Sequence, residues 1–210
     1  MIRKNALLCK LIHIKTSSKS LFQSCMATFQ PELETCPACR STGNCHVHDY
    51  YDRSIIDLKN GRQKRSSLCI LRLLCSSCRK THAVLPDILI PYSGYSLLFI
   101  LRLLGEYFSG SASIERLCEK YKISKKQLYK WLDLWKIHKQ EWLGVLADAE
   151  CSNLTFWKSI TSTVNYSDFA MNFYRCFQIS FLQSHADPLT AGAKTACCHQ
   201  DTFPPNAFGT

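Results

Sequence analysis

The chain has 210 residues, 46% hydrophobic and 20% charged, which are the proportions of a folded globular protein and exclude a wholly disordered one. A formal net charge of +10 makes polyanions the natural partners to consider. Thirteen cysteines is an odd number, and an opening apolar stretch broken by Lys10 and Lys15 is too short for a secretory signal, so a secreted disulfide framework is not expected.

Residues 1–33 show no sustained hydrophobic period and read as an irregular N-terminal extension. A first pair, Cys36-Pro37-Ala38-Cys39, follows, and a second, Cys75-Ser76-Ser77-Cys78, matches it. His46 to Leu58 is rich in aromatic and β-branched residues and predicts a strand. Asn60-Gly61 is the preferred pair for a tight hairpin turn, and Ser66 to Leu74 predicts the returning strand. Thr81 to Leu85 adds a third short strand, and residues 34–90 together read as one small domain.

Pro86 and Pro91 bracket an extended link, and Ser93 is the expected cap of a helix from about Gly94 to Phe108. Ser113 opens a second helix, reaching about Tyr121. Ser124 caps a third, in which Leu128, Leu132, Trp135, Trp142 and Leu146 recur at helical spacing to about Asp148. Residues 91–150 thus form a helical domain. The Ser/Thr-rich stretch from Asn153 to about residue 160 reads as a looser connection. Phe169, Phe173, Phe177 and Phe181, at four-residue intervals, predict one more amphipathic helix within 151–186, its stripe a core face. Residues 187–210 turn to Pro, Gly, Ala and Thr, and a disordered tail is expected. The fold class is α+β, a β-hairpin ribbon followed by a mostly helical region.

Two C-x-x-C pairs joined by a hairpin supply the four thiolates of a tetrahedral structural zinc, so Cys36, Cys39, Cys75 and Cys78 are the expected ligands of one Zn2+. His46, His48, Cys45 and Cys69 lie in the same ribbon and are read as packing or surface residues. His82 has ligand chemistry but no vacancy to fill. Cys197-Cys198-His199 is read as a loose thiol pair in the tail.

Charge is localised. Lys120 to Lys139 holds seven lysines and one acid, Asp133, on a segment whose pattern matches a helix-turn-helix over 113–139. Leu117 and Cys118 face the partner helix, Ile123 plugs the turn, and Leu128 and Leu132 seat the second helix. Lys125, Lys126, Gln127, Tyr129 and Lys130 then lie on the N-terminal half that such a helix offers to the major groove. Arg62, Lys64 and Arg65 of the hairpin are candidates for further phosphate contacts. No acidic set for two-metal chemistry, nucleophile elbow, phosphate-binding glycine loop or H-E-x-x-H is present, so no enzyme and no small-molecule substrate are expected. The longest apolar run, Tyr95 to Leu104, contains Arg102 and is too short to span a bilayer, so no membrane partner is expected and the setting is read as cytoplasmic.

The stretch from CPACRSTGNC through LCSSCRKTHAVLPDILIPYSGY, followed by SIERLCEKYKISKKQLYKW, resembles a bacterial family of unknown function that pairs a zinc ribbon with a helix-turn-helix and is similar to the DNA-binding front ends of transposases. The resemblance spans about residues 34–186. It implies the same four cysteine ligands and no catalytic residues. The expectation is a zinc-stabilised protein binding duplex DNA, transposon-associated or regulatory. The alternatives are the DNA-binding part of a transposase or recombinase without its catalytic domain, and an interaction adaptor. A homodimer or protein partner through the helical region is compatible with each.

Overall fold

The computed structural model describes residues 6–10, 19–145, 151–161, 166–177 and 179–184. It is a mixed helix-and-sheet fold. Strand β1 (Ala6–Lys10) and helix α1 (Lys19–Ala27) precede a long hairpin made of β2 (Cys45–Lys59) and β3 (Arg62–Cys75), and β4 (Thr81–Leu85) returns beside it. The sheet order is β1-β4-β3-β2. β2 and β4 each pair antiparallel with β3, whereas β1 pairs parallel with β4 from Ala6 opposite Thr81 to Lys10 opposite Leu85. The lead-in expected to be irregular therefore contributes an edge strand and a helix, and Phe22 of α1 is buried in the core. The tail beyond residue 186, with Cys197, Cys198 and His199, and the expected helix end at residues 146–148 lie outside the described residues.

The hairpin turn has the backbone that its sequence demands. Asn60 and Gly61 take φ of 53° and 73°, the pair of positive values that a two-residue turn needs to match the strand twist. Leu68, Ile70, Leu71 and Leu73 of β3 and Ala83 to Leu85 of β4 are buried, and the link from Pro86 to Pro91 continues as a buried segment.

Helix α2 (Leu97–Phe108) starts later than the sequence suggests. Its cap is Ser96, whose Oγ accepts the Phe99 N–H and donates to Asp57 Oδ1 at 2.8 Å, while the Ser96 N–H donates to Ile56 O. Ser93, the expected cap, spends its hydroxyl on the backbone of Tyr95, which shapes a turn instead. α2 is thus stitched to the tip half of β2. Helices α3 (Ile114–Lys120) and α4 (Lys125–Val145) follow, with Ser113 capping the first and Ser124 Oγ accepting the Gln127 N–H at the start of the second. Glu106 of α2 binds both Lys120 Nζ and the Tyr121 hydroxyl at 2.8 Å, which fixes α3 on α2. Burial raises the Glu106 pKa, but these two donors outweigh it and hold the carboxyl below its usual range.

Residues expected to form a loose connection are instead α5 (Asn153–Thr161). Ser152 is cap chemistry: its Oγ accepts the Thr155 N–H at 3.0 Å. The bare Cα of Gly105 admits the Trp157 indole, with which an added Cβ would collide, and Trp157 Nε1 donates to Leu101 O at 2.7 Å. Helix α6 (Tyr166–Phe177) carries three of the four periodic phenylalanines. Phe181 lies beyond it, after the chain leaves the helix, yet its ring returns to pack on Trp135, Phe156, Phe169 and Phe173. Phe169, Phe173 and Phe181 are core, as are Trp131, Trp135 and Trp142, while Phe177 is half-buried against it.

His138 sits inside this aromatic cluster between Phe173 and Phe181, and its Nδ1 accepts the Leu182 N–H at 2.9 Å. Burial pushes its pKa down to about 4 from an ordinary 6.5, because a charged imidazole would be desolvated there. Below pH 6.5 the unfolded chain takes up a proton that the folded imidazole refuses until about pH 4. Stability from this group is complete above pH 6.5 and is lost down to pH 4, by up to about 3 kcal/mol. Urea unfolding across that window should show this slope in the wild type and a flatter one in His138→Asn; equal slopes would contradict it.

Candidate metal centre

The four cysteines of the two C-x-x-C pairs meet at the open end of the hairpin, with their sulfurs all within 4.8 Å of one another. The base of the hairpin makes this possible, since Cys45 at the start of β2 lies opposite Cys75 at the end of β3. Each pair forms the same tight turn. Arg40 N–H donates to Cys36 O at 2.8 Å and Arg79 N–H to Cys75 O at 2.9 Å. Each turn closes with an arginine in the left-handed region, Arg40 at φ 61° and Arg79 at φ 59°. Ser76 N–H donates to Asn44 O and so joins the second turn to the residue that leads into β2.

Two sulfur–sulfur distances match the edges of a tetrahedral site. Cys36 Sγ lies 3.7 Å from Cys78 Sγ, and Cys39 Sγ lies 3.7 Å from Cys75 Sγ. A tetrahedron with metal–thiolate bonds of about 2.3 Å has edges of about 3.8 Å. The all-sulfur donor set selects a soft or borderline ion over magnesium or calcium. Four protein ligands leave no open position, so the chemistry of such an ion is to cross-link the chain, not to activate water.

The surroundings favour negative charge on two of the sulfurs, Cys75 and Cys39. Burial raises the Cys75 pKa, but the Cys78 and Ser77 backbone N–H groups and the Ser41 hydroxyl outweigh it and bring the thiol down to about 6. Cys36 goes the other way. Burial pushes it up to about 12 despite the N–H groups of Cys39 and Ala38. Cys39, exposed, is lowered by the Ser41 hydroxyl and backbone. Without a cation the four sulfurs cannot all hold charge; a divalent ion removes that conflict.

Three neighbours complete the surroundings. His82 on β4 is fully buried, with Nε2 3.2 Å from Cys36 Sγ. It is therefore placed to donate to the Cys36 thiolate and not to replace it, a partner that the sequence offered only as a spare ligand. Ser41 Oγ lies 3.1 Å from Cys39 Sγ and 3.6 Å from Cys75 Sγ, a contact that no general motif signals. Cys45 is buried beside the cluster, its pKa pushed up to about 11 by burial. His46 and His48 are exposed on β2, as is Cys69 on β3.

The other candidate residues lie apart from the cysteines. Arg62, Lys64 and Arg65 are exposed at the far end of the hairpin. Between them Gln63 Nε2 donates to Tyr121 O, which ties the hairpin tip to the segment joining α3 and α4. Lys126, Tyr129 and Lys130 are exposed on one face of α4, and Gln127 is half-buried. Lys125 is exposed but paired to Glu115 at 2.6 Å. Leu117 and Leu128 are buried between the helices. Ile123 is buried in the turn, where its N–H donates to Cys118 O and Lys122 takes φ 45°. No helix among the described residues is long and apolar enough to cross a membrane.

A protein family described as "Domain of unknown function (DUF6431)" matches residues 36–131, a little under half of the chain. The match begins at Cys36 and takes in both cysteine pairs, the hairpin, α2, α3 and the start of α4. No curated protein and no solved structure matches the chain.

If His82 supports the Cys36 thiolate, His82→Phe should retain the fold with metal bound but lose the ion to a chelator at least about tenfold more readily. Chelator competition followed by thiol release reads this directly, and unchanged retention would assign His82 to packing alone.

Proposed function

We propose that this chain is a zinc-stabilised, non-enzymatic protein that binds duplex DNA. In this reading Cys36, Cys39, Cys75 and Cys78 hold one structural Zn2+, and α3 and α4 act as a helix-turn-helix with α4 as the recognition helix. The zinc assignment is supported by two sulfur–sulfur distances of tetrahedral length and by the four-thiol donor set.

One observation carries the DNA reading. Lys126, Tyr129 and Lys130 are presented together on the exposed N-terminal half of α4, beyond a capped turn plugged by Ile123. That is where a recognition helix meets base edges and phosphates. Gln127 offers the amide pattern that reads adenine, and Tyr129 offers a phenol to sugar or phosphate. The Gln63–Tyr121 bond holds the hairpin tip against the segment joining α3 and α4, and Arg62, Lys64 and Arg65 are exposed at that tip as candidates for further phosphate contacts. The pairing with Glu115 makes Lys125 a helix-to-helix tie more than a free phosphate contact. A cytoplasmic site and a transposon-associated or regulatory role go with this reading.

The Lys126→Ala/Lys130→Ala double variant should bind a mixed-sequence duplex more weakly. Its plot of log affinity against log salt should be shallower by about 2, one released counterion per lost phosphate contact. Lys125→Ala should change the slope less. Wild-type affinity and slope in the double variant would remove α4 from the interface.

A further inference from the structure

The loop Ile90–Tyr95, between β4 and α2, holds its backbone tightly while presenting a large aromatic ring to solvent. Tyr92 is 71% exposed and sits at φ 60°, a left-handed conformation that a bulky residue rarely adopts. The residues around it are anchored. The Arg53 guanidinium, half-buried, donates to Ile90 O and, at 2.9 Å, to Ser93 O. Ser93 N–H donates to Ile90 O, Ile56 N–H donates to Gly94 O at 2.7 Å, and the Tyr95 ring packs edge-on against Trp131 at 5.0 Å. The Tyr92 ring stays exposed above this brace. Arg53 also interacts with the Tyr51 side chain, so its guanidinium braces the loop against β2.

The position of the loop gives that exposure a meaning. Tyr92 and its neighbours share a small cleft of about 110 Å³ with Gln127, Lys130 and Trp131 of α4. The exposed phenol therefore stands beside two of the residues assigned to the groove, on an element separate from both the helix pair and the hairpin tip.

We propose that Tyr92 is a further DNA-contacting residue, its hydroxyl donating to a phosphate oxygen and its ring packing on the adjoining sugar at the edge of the groove that α4 enters. The inference rests on the DNA reading given above. A rigid loop suits the task, because the ring is oriented before binding and little conformational freedom is lost on contact. Phosphate and sugar contacts of this kind fix register and carry no base preference.

The test measures binding of a mixed-sequence duplex by fluorescence anisotropy over a range of salt, with the full chain and its metal retained. Tyr92→Ala should weaken binding about five- to tenfold and Tyr92→Phe by a smaller factor. Neither should change the salt slope, because the phenol is neutral, in contrast to Lys126→Ala/Lys130→Ala. Tyr92→Gly separates binding from folding. Glycine relieves the left-handed backbone, so its melting temperature should hold or rise while its affinity falls as for Tyr92→Ala. Tyr92 variants that bind like wild type, while the lysine variant is weakened, would overturn this inference and leave the DNA reading standing. A drop in melting temperature in both Tyr92→Ala and Tyr92→Gly would overturn it as well, by giving Tyr92 a structural role. Failure of the wild-type chain to bind duplex DNA at any salt would overturn both.

Discussion

The constraint around which this fold is read is the closure of one end of a long hairpin by four sulfur atoms. The Cys39–Cys75 contact spans 36 positions of chain and the Cys36–Cys78 contact spans 42. Bringing such distant segments together costs loop entropy, and the strands here run 15 and 14 residues, long for a ladder with an exposed outer face. A hairpin alone is marginal in water. An ion joined to all four thiolates would pin both strands at their base, and the gain on binding would appear as folding free energy.

The other end of the same hairpin positions the helices. Ile56 and Asp57 of β2 hold Gly94 and Ser96, and Gln63 of β3 holds Tyr121. About ten residues of extended chain, on the order of 35 Å, separate this end from the cysteines. Strand register is thereby passed along the ladder. A slip of one residue at the base would turn Ile55, Leu68 and Ile70 out of the core and move the tip away from α3. The proposed DNA surface, built from hairpin tip, α4 and the Tyr92 loop, thus inherits its geometry from the cysteine cluster without touching it.

The sequence made some of this readable and hid the rest, for physical reasons. Asn60-Gly61 and the C-x-x-C pairs are local signals whose backbone requirements hold in any context, and the hairpin and the sulfur cluster follow from them. Ser113 and Ser124 are likewise local caps. The cap of α2 is not local: Ser93 and Ser96 both precede the same apolar run, and only the bond from Ser96 to Asp57, 39 positions away, decides between them. The parallel pairing of β1 with β4 joins segments about 75 positions apart with no turn between them to announce it. The Ser/Thr residues from Asn153 to about 160 are composition typical of loops, yet they form α5, with Ser152 using its hydroxyl as a cap. Phe181 keeps the helical period by coincidence, since the chain has already left the helix at Phe177. At the candidate site the four cysteines were legible, whereas the contact of Ser41 with two of the sulfurs, the pairing of Lys125 with Glu115 and the exposure of Tyr92 require knowledge of what folds nearby.

The most direct test of the central claim is the metal content of protein purified without added metal, compared with Cys36→Ser and Cys75→Ser and followed by thermal unfolding. One zinc ion per chain, lost in both variants together with the cooperative transition, is the predicted result. A wild-type chain that carries no stoichiometric metal, or variants that lose the ion yet melt as the wild type does, would contradict the dependence of the fold on this centre.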